Sequence, residues 1–550
     1  WTNVEAKSTK VYAVLLRKDV KNPVAALEGL PPEEEKKEGE DEEKGKDAAK
    51  GDKEKGKDAQ ADEKKPPKPV EIDLEGLKAR FVELPIPLGR YYGLAATAKQ
   101  LFFLSFPLEG FAEMPNLFEE GGPRATLEAF DLEKKEAKPF VEGVYTYALA
   151  AKSEKIAVVK AKGEIFVVGA AAPPGPDLAK GKVSLDGIVI ELDPREEWAQ
   201  IYYEGWRHMR DFYWDPGMGN VDWKAVRDRY ATLLPRLASR EDLRDLLGEV
   251  IGELGTSHTY VWGGDPGVAP TRVPVGLLGA DLAREGDAYR IVRIYRGDPA
   301  DRVRSPLEEP QAAVREGEYV LAVNHRPFPQ GVPFDASMDG LAGKAVVLTV
   351  GSKPSAEGAR DVVVTPLRGD GDLRYADWVR RNREYVAEKT GGKIGYVHIP
   401  DMWKDGLIRF NTWFYPQLDR EGMIVDVRWN GGGSVSQMIV ERLRRKLVSF
   451  DRARGGGVTT YPSAVLNGPF VVLTNEFAGS DGDIFPAAVQ IEGLAPVIGM
   501  RSWGGVVGIR GDKTLQDGGM LTQPEFAWWD AKQGWGLENR GVIPDIEVDN

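Results

Sequence analysis

The chain has 550 residues, 42% of them hydrophobic, and a formal net charge of −13. That length exceeds a single core and sets an expectation of about three or four domains. The acidic balance argues against general nucleic-acid binding, which needs a basic face, and the absence of cysteine excludes disulfides, thiol catalysis and cysteine-ligated metals. No run reaches the length of a membrane span and no signal peptide opens the sequence. Residue 1 is Trp, so the natural start, with any targeting signal, is expected to be missing.

Over residues 1–190 short apolar segments at 10–16, 101–106, 125–130, 155–159 and 163–168 alternate with turns, a pattern that suggests blades of a β-propeller. A block at 31–69 is almost wholly Glu, Lys, Asp, Gly and Ala. It cannot bury enough apolar surface to offset its ordering entropy and is expected to be a disordered, solvated insertion, with an interaction tail as the alternative. From Asp193 the period changes to 3.6, predicting helices over 195–213, 223–237 and 240–254, the last with a capping-box-like start at Ser239. Gly255 stops that helix and Thr256-Ser257-His258 follows in the loop. Strands return over 272–368, where 276–282, 289–294 and 317–324 resemble those of a PDZ domain; the Gly276-Leu277-Leu278-Gly279 loop would take the position that caps a peptide C-terminus. After residue 370 strands and helices alternate: 393–399 before a helix over 405–418, 423–427 before Gly431-Gly432-Gly433 and a helix from Val435, and 470–474 before Ser480 and another helix. This rhythm predicts a parallel or mixed sheet with its site at the carboxyl ends of the strands.

Ser480 lies in Asn475-Glu476-Phe477-Ala478-Gly479-Ser480-Asp481-Gly482-Asp483, a glycine-flanked strand-to-helix turn. A serine there can act as a nucleophile beside the free N–H groups of a helix start, or merely cap the helix. A nucleophilic serine needs a base held in one tautomer. Of the four histidines, His258 in its post-helix loop is the best candidate, with an idle loop imidazole as the alternative. His208 reads as mid-helix, His325 as part of a tight turn and His398 as part of a strand. The Gly431–Gly433 run offers backbone donors for an oxyanion hole, or simply a tight turn; no Gly-Lys-Ser/Thr follows, so it is not a phosphate loop.

Residues 428–437, 474–485, 503–508, 521–526 and 536–545 resemble the catalytic domain of the tricorn proteases, within the tail-specific serine peptidase family. The order of blades, helical domain, PDZ domain and α/β domain is similar as well. The resemblance implies a multidomain α+β chain. Its parts are partial β-propeller blades over 1–190, a small helical domain over 191–271, a PDZ-like domain over 272–368 and an α/β catalytic domain over 369–550. It implies Ser480 as nucleophile, His258 as general base and later acid, and Ser257 and Glu538 as the rest of a tetrad. It further implies the amides of Gly433 and Asp481 as the oxyanion hole. Asp451 matches an acidic selector favouring Lys or Arg before the scissile bond and reaching a neighbouring subunit's site in a hexamer; a solvated acid paired with Arg452 or Arg454 is the alternative. Family propeller sets are far longer than 190 residues, so the chain is expected to be truncated at its N-terminus, with at most about three blades.

The expected function is an endopeptidase acting on unfolded polypeptides or oligopeptides through an acyl-enzyme, with no cofactor or metal and neither nucleic acid nor membrane as partner. The family implies a cytoplasmic enzyme, while a lost signal peptide would permit export. A Ser/Lys dyad is disfavoured because 499–505 contains no lysine, and a metal hydrolase because no ligand spacing for one occurs. A non-catalytic peptide-binding scaffold is the alternative from a different class. The base is expected to titrate near an unperturbed histidine, at about 6.5.

Overall fold

The computed structural model describes residues 9–20, 70–107, 125–265, 273–298, 303–531 and 534–549. The expected charged insertion at 31–69 lies outside them. Contacts divide the chain into two units, Trp1–Ile190 and Glu191–Asn550.

Among the described residues every strand pairing of the first unit is antiparallel. Tyr91–Ala96, Gln100–Ser105, Ala125–Asp131 and Glu136–Val144 form a four-stranded meander, and Thr146–Leu149, Lys155–Val159 and Ile165–Gly169 a three-stranded one. Alternate residues of these strands turn inward, and Phe102, Leu127, Phe140, Ile156 and Val158 share one core. Pro139, which has no N–H for a ladder, sits in the edge strand Glu136–Val144. Tyr12–Val14 pairs with Phe81–Glu83.

The second unit opens with three helices, Pro194–Phe212, Trp223–Ala231 and Arg240–Gly252. Asp193 caps the first, and Ser239 and Asp242 form a reciprocal capping box on the third. The second is shorter than its periodicity predicts because Pro235 lacks an N–H and crowds the preceding turn; only the 3-10 turn Leu234–Arg236 continues it. Pro416 likewise ends the helix Lys404–Phe414 and leaves the 3-10 turn Tyr415–Gln417. The helices bury Ile201, Tyr202, Trp206, Met209 and Leu247 together with Leu515 and Leu521 from the far end of the sequence.

Next comes an antiparallel sheet in the order Ala280–Glu285, Ala288–Ile294, Tyr319–Val323, Val346–Gly351 and Arg360–Val364, packed over Ile291, Val320 and Leu348. The Gly276–Gly279 loop does precede the edge strand Ala280–Glu285, but two of its amides are engaged within the fold. Gly276 N–H donates to Met338 O at 3.0 Å and Leu277 N–H to Leu367 O at 2.9 Å. Leu373 of the following helix covers Gly279, where a Cβ would lie 2.4 Å from its Cδ2. The first two amides of the loop thus serve the fold, while Gly276, Leu277 and Leu278 line a pocket beside the edge strand.

The last part is a five-stranded sheet, parallel at every pairing, in the order Ile394–His398, Gly422–Asp426, Phe470–Thr474, Val497–Gly499 and Ile546–Glu547. Parallel pairing puts the carboxyl ends of all strands on one edge. From that edge emerge Arg428–Gly433, the Ser480 turn and the Trp503–Gly505 loop. Among the described residues no helix is long and apolar enough to cross a membrane.

Candidate active site

Ser480 occupies the N-cap place of the helix Asp481–Ile491, yet its side chain makes no capping hydrogen bond. Its backbone stands at φ 60°, ψ −124°, a conformation that costs an L-residue energy. Close packing fixes that turn. A Cβ on Gly479 would lie 2.6 Å from the Trp503 ring and one on Gly482 2.8 Å from Asn430 O, so neither flank tolerates a side chain without movement. Gly479 N–H donates to Asn430 O at 3.0 Å, tying the serine turn to the glycine loop.

Within that loop Asn430 is fully buried; its Oδ1 accepts from Gly432 N–H at 2.9 Å and its Nδ2 donates to Ile399 O at 2.8 Å. Gly432 lies directly against the serine, since a Cβ there would fall 2.4 Å from Ser480 Cβ. The Asp481 carboxylate is buried and accepts from the Ser436 N–H and hydroxyl, so the glycine loop and the serine helix are clasped on both sides. Burial pushes the Asp481 carboxyl up, against the opposing pull of those Ser436 donors.

His258 follows the helix Arg240–Gly252. Its backbone is at φ 60°, and Thr522 holds the loop: its hydroxyl donates to His258 O at 2.5 Å and accepts from Tyr260 N–H at 2.8 Å. A buried ion pair, Arg240 with Asp517 at 2.5 Å, fastens the segment leading to Thr522 to the helix Arg240–Gly252. Glu538 accepts from Ser257 N–H at 2.7 Å, from the Ser257 hydroxyl at 3.2 Å, and from the Val506 and Val507 amides at 2.7 and 3.2 Å. An ionised carboxylate can only accept, so the Ser257 hydroxyl donates to it. The oxygen of that hydroxyl is thereby left to receive the Nδ1–H of His258, 3.0 Å away. The result is an oriented relay from Glu538 through Ser257 to His258, with Nε2 as the free base nitrogen.

Among the described residues His258 and Ser480 share no hydrogen bond; the Trp503 ring bridges them instead, 5.4 Å from the imidazole centroid and packed over Gly479. Such bonds often form only when substrate closes the site. Asp483, with no exposed surface, holds the Trp503 loop by accepting from the Gly504 and Gly505 amides at 2.8 and 3.2 Å. Burial raises its carboxyl to about 6, opposed by the Ser502 hydroxyl and those amides.

Three family models match successive parts of the second unit: the tricorn protease C1 domain over residues 194–252, the tricorn protease PDZ domain over 276–369 and peptidase family S41 over 393–548. Tricorn protease homolog 1 of Streptomyces coelicolor is 40% identical over 489 residues, covering 87% of this chain and 45% of that protein. A putative tricorn-like protease C-terminal subunit of Sulfurisphaera tokodaii is 36% identical, covering 87% of this chain and 55% of that one. A solved structure, "Crystal structure of the tricorn protease", matches with a TM-score of 0.78 and 32% identity over 88% of this chain and 46% of its own. The chain is a homologue of the tricorn proteases, in peptidase family S41. It spans about half the length of the curated relatives it matches.

Of the residues singled out from the sequence, Ser257, His258 and Glu538 are brought into direct contact, and Gly433 and Asp481 lie in the two loops clasped around Ser480. Asp451 is not brought to this centre. It lies on an exposed hairpin, Ser449–Arg452 with Val458–Tyr461, and among the described residues it pairs with neither Arg452 nor Arg454. Asp483, Trp503, Asn430 and Thr522 were not anticipated. Asp483 had a signal in the sequence, an acid one helical turn past the serine, but that pattern also describes an ordinary helix start.

Burial lowers the pKa of His258 below its ordinary 6.5, and the charge of Glu538 partly restores it. The expectation of an unperturbed base is thus corrected downward. Because a base must be neutral, the acid limb of kcat/KM should have its midpoint below 6.5. Glu538→Gln removes the charge that raises this pKa, so the limb should move lower still, while kcat falls on the order of 10²–10⁴-fold as the imidazole loses its orientation. A pH–rate series on both proteins checks this; a midpoint that rises in the variant would contradict the relay.

Proposed function

We propose that the chain is a serine endopeptidase acting on unfolded polypeptides or oligopeptides. The single observation that carries this reading is the oriented Glu538–Ser257–His258 relay beside a serine held in a strained strand-to-helix turn. In the reaction, Ser480 Oγ attacks the scissile carbonyl carbon while His258 Nε2 takes the hydroxyl proton. The Gly433 and Asp481 amides donate to the oxyanion that forms. Collapse breaks the C–N bond, His258 returns its proton to the leaving amine, and an ester to Ser480 remains. Water, deprotonated by His258, then releases the acid product and regenerates the hydroxyl.

Asp451 is the selector for Lys or Arg before the scissile bond, and it acts on a neighbouring copy in a homo-oligomer. Its hairpin supports this reading: Val448, Phe450, Val458 and Tyr461 are each more than half exposed, an apolar surface suited to burial against another copy. The sheets of residues 1–190 are the last blades of a propeller in this reading. The test is cleavage of two fluorogenic peptides, one with Arg and one with Leu before the reporter. Arg should be preferred, and Asp451→Asn should lower kcat/KM on the Arg peptide about 10–100-fold. Mixing Asp451→Asn with a Ser480→Ala chain should recover part of that loss, because some sites then combine an intact serine with a neighbour's intact aspartate. Equal cleavage of both peptides by wild type would remove the selector role, and no recovery on mixing would remove its action across subunits.

A further inference from the structure

A path of ring contacts leads away from the candidate base. Trp503 lies 5.4 Å from His258, His258 5.9 Å from Tyr260, and Tyr260 6.4 Å from Trp262, centroid to centroid. Trp503, Tyr260 and Trp262 are 46%, 43% and 43% exposed, an unusual display for three large rings in a row. The backbone that carries Trp262 is extended. Val261–Trp262 pairs antiparallel with Met520–Leu521 in a ladder of only two strands. Tyr260 O accepts from Thr522 N–H, so residues 260 and 262 direct their backbone groups at that partner. By antiparallel alternation, the N–H and C=O of Val261 point to the opposite edge, which no strand among the described residues covers. The side chains alternate as well. Val261 packs against the helical core, while Tyr260 and Trp262, two residues apart, share the outer face, where the His258 ring meets Tyr260.

We infer that this edge is the binding track for the part of a peptide substrate that follows the scissile bond, and that Tyr260 and Trp262 select apolar or aromatic residues there. This rests on the peptidase reading and deepens it. The direction follows from the chemistry of amide cleavage: His258 must hand its proton to the leaving nitrogen, so the departing chain runs past the imidazole, where residues 259–262 begin. An extended peptide adds to the open edge by main-chain hydrogen bonds, and alternate side chains meet the exposed rings. Trp503, which touches both the serine turn and His258, walls the start of the track.

The test uses the full chain and internally quenched peptides with Arg before the scissile bond and Phe, Leu, Asp or Lys at the two following positions. Apolar residues should raise kcat/KM about tenfold or more over charged ones, and Trp262→Ala should reduce that ratio toward one, whereas Trp262→Phe retains most of it. The Ala variant should lose about tenfold more on these peptides than on a reporter amide with no residues beyond the bond. A second arm does not depend on turnover: in a Ser480→Ala background, calorimetric binding of the Phe-containing peptide should weaken about tenfold on adding Trp262→Ala. Binding that responds to Trp262 without any cleavage by wild type would remove the peptidase reading and keep the track. Equal losses on long and short substrates, or a change of oligomeric state in Trp262→Ala at unaltered peptide binding, would overturn the inference.

Discussion

Ser480→Ala should abolish peptide cleavage, with kcat falling by about 10⁴-fold or more, and should leave the fold intact. The size follows from the role: loss of the nucleophile removes the acyl-enzyme route altogether and leaves only what binding and the oxyanion donors supply. The structural cost is small because the hydroxyl caps nothing on the Asp481–Ile491 helix, so Ala removes no hydrogen bond that holds the turn. KM should change little, and the melting temperature should stay within a few degrees of wild type. Activity retained at even a tenth of the wild-type rate would assign the chemistry to another residue.

Gly433→Ala should be nearly as damaging, by a different route. Gly433 stands at φ 149°, and a Cβ built there would lie 2.0 Å from Met402 O and 2.2 Å from Met402 C, backbone atoms that cannot rotate away. The loop must therefore shift, and with it the amide proposed to face the developing oxyanion. Loss of one such donor costs on the order of 10²–10³-fold in kcat, and the displaced backbone adds strain of about 1–3 kcal/mol. The neighbouring Gly431 is a built-in control, since a Cβ there meets nothing within 4 Å and its φ is not positive. Gly431→Ala should keep at least half the wild-type kcat and melt with it. A Gly433→Ala chain as active as Gly431→Ala would show that the loop's amide takes no part.

Much of this arrangement is legible in the sequence because it is local. The parallel sheet follows from apolar runs such as Phe470–Thr474 alternating with helices, and the Ser480 turn from glycines on both sides of a serine at a strand's end. Ser257 and His258 adjoin one another behind a helix whose stop, Gly255, is plain. What bottom-up reading misses is long-range. Glu538 is separated from Ser257 by 281 positions, and alone its glycine-rich loop reads as surface; only the family resemblance singles it out. Thr522, 264 positions from His258, is invisible for the same reason. The partners of the Gly276–Gly279 loop are long-range as well: Met338, Leu367 and Leu373 meet it from elsewhere in the chain. The pKa of His258 depends on burial in the folded chain, which no local pattern reports.

The most direct measurement is labelling with a fluorophosphonate at about pH 8, followed by intact-mass and peptide-mapping mass spectrometry. A serine activated by the His258 relay should yield one adduct per chain, mapped to Ser480, and His258→Ala should slow its formation on the order of 10²-fold or more. An unlabelled chain, or an adduct on any other residue, would contradict the assignment of Ser480 as the nucleophile.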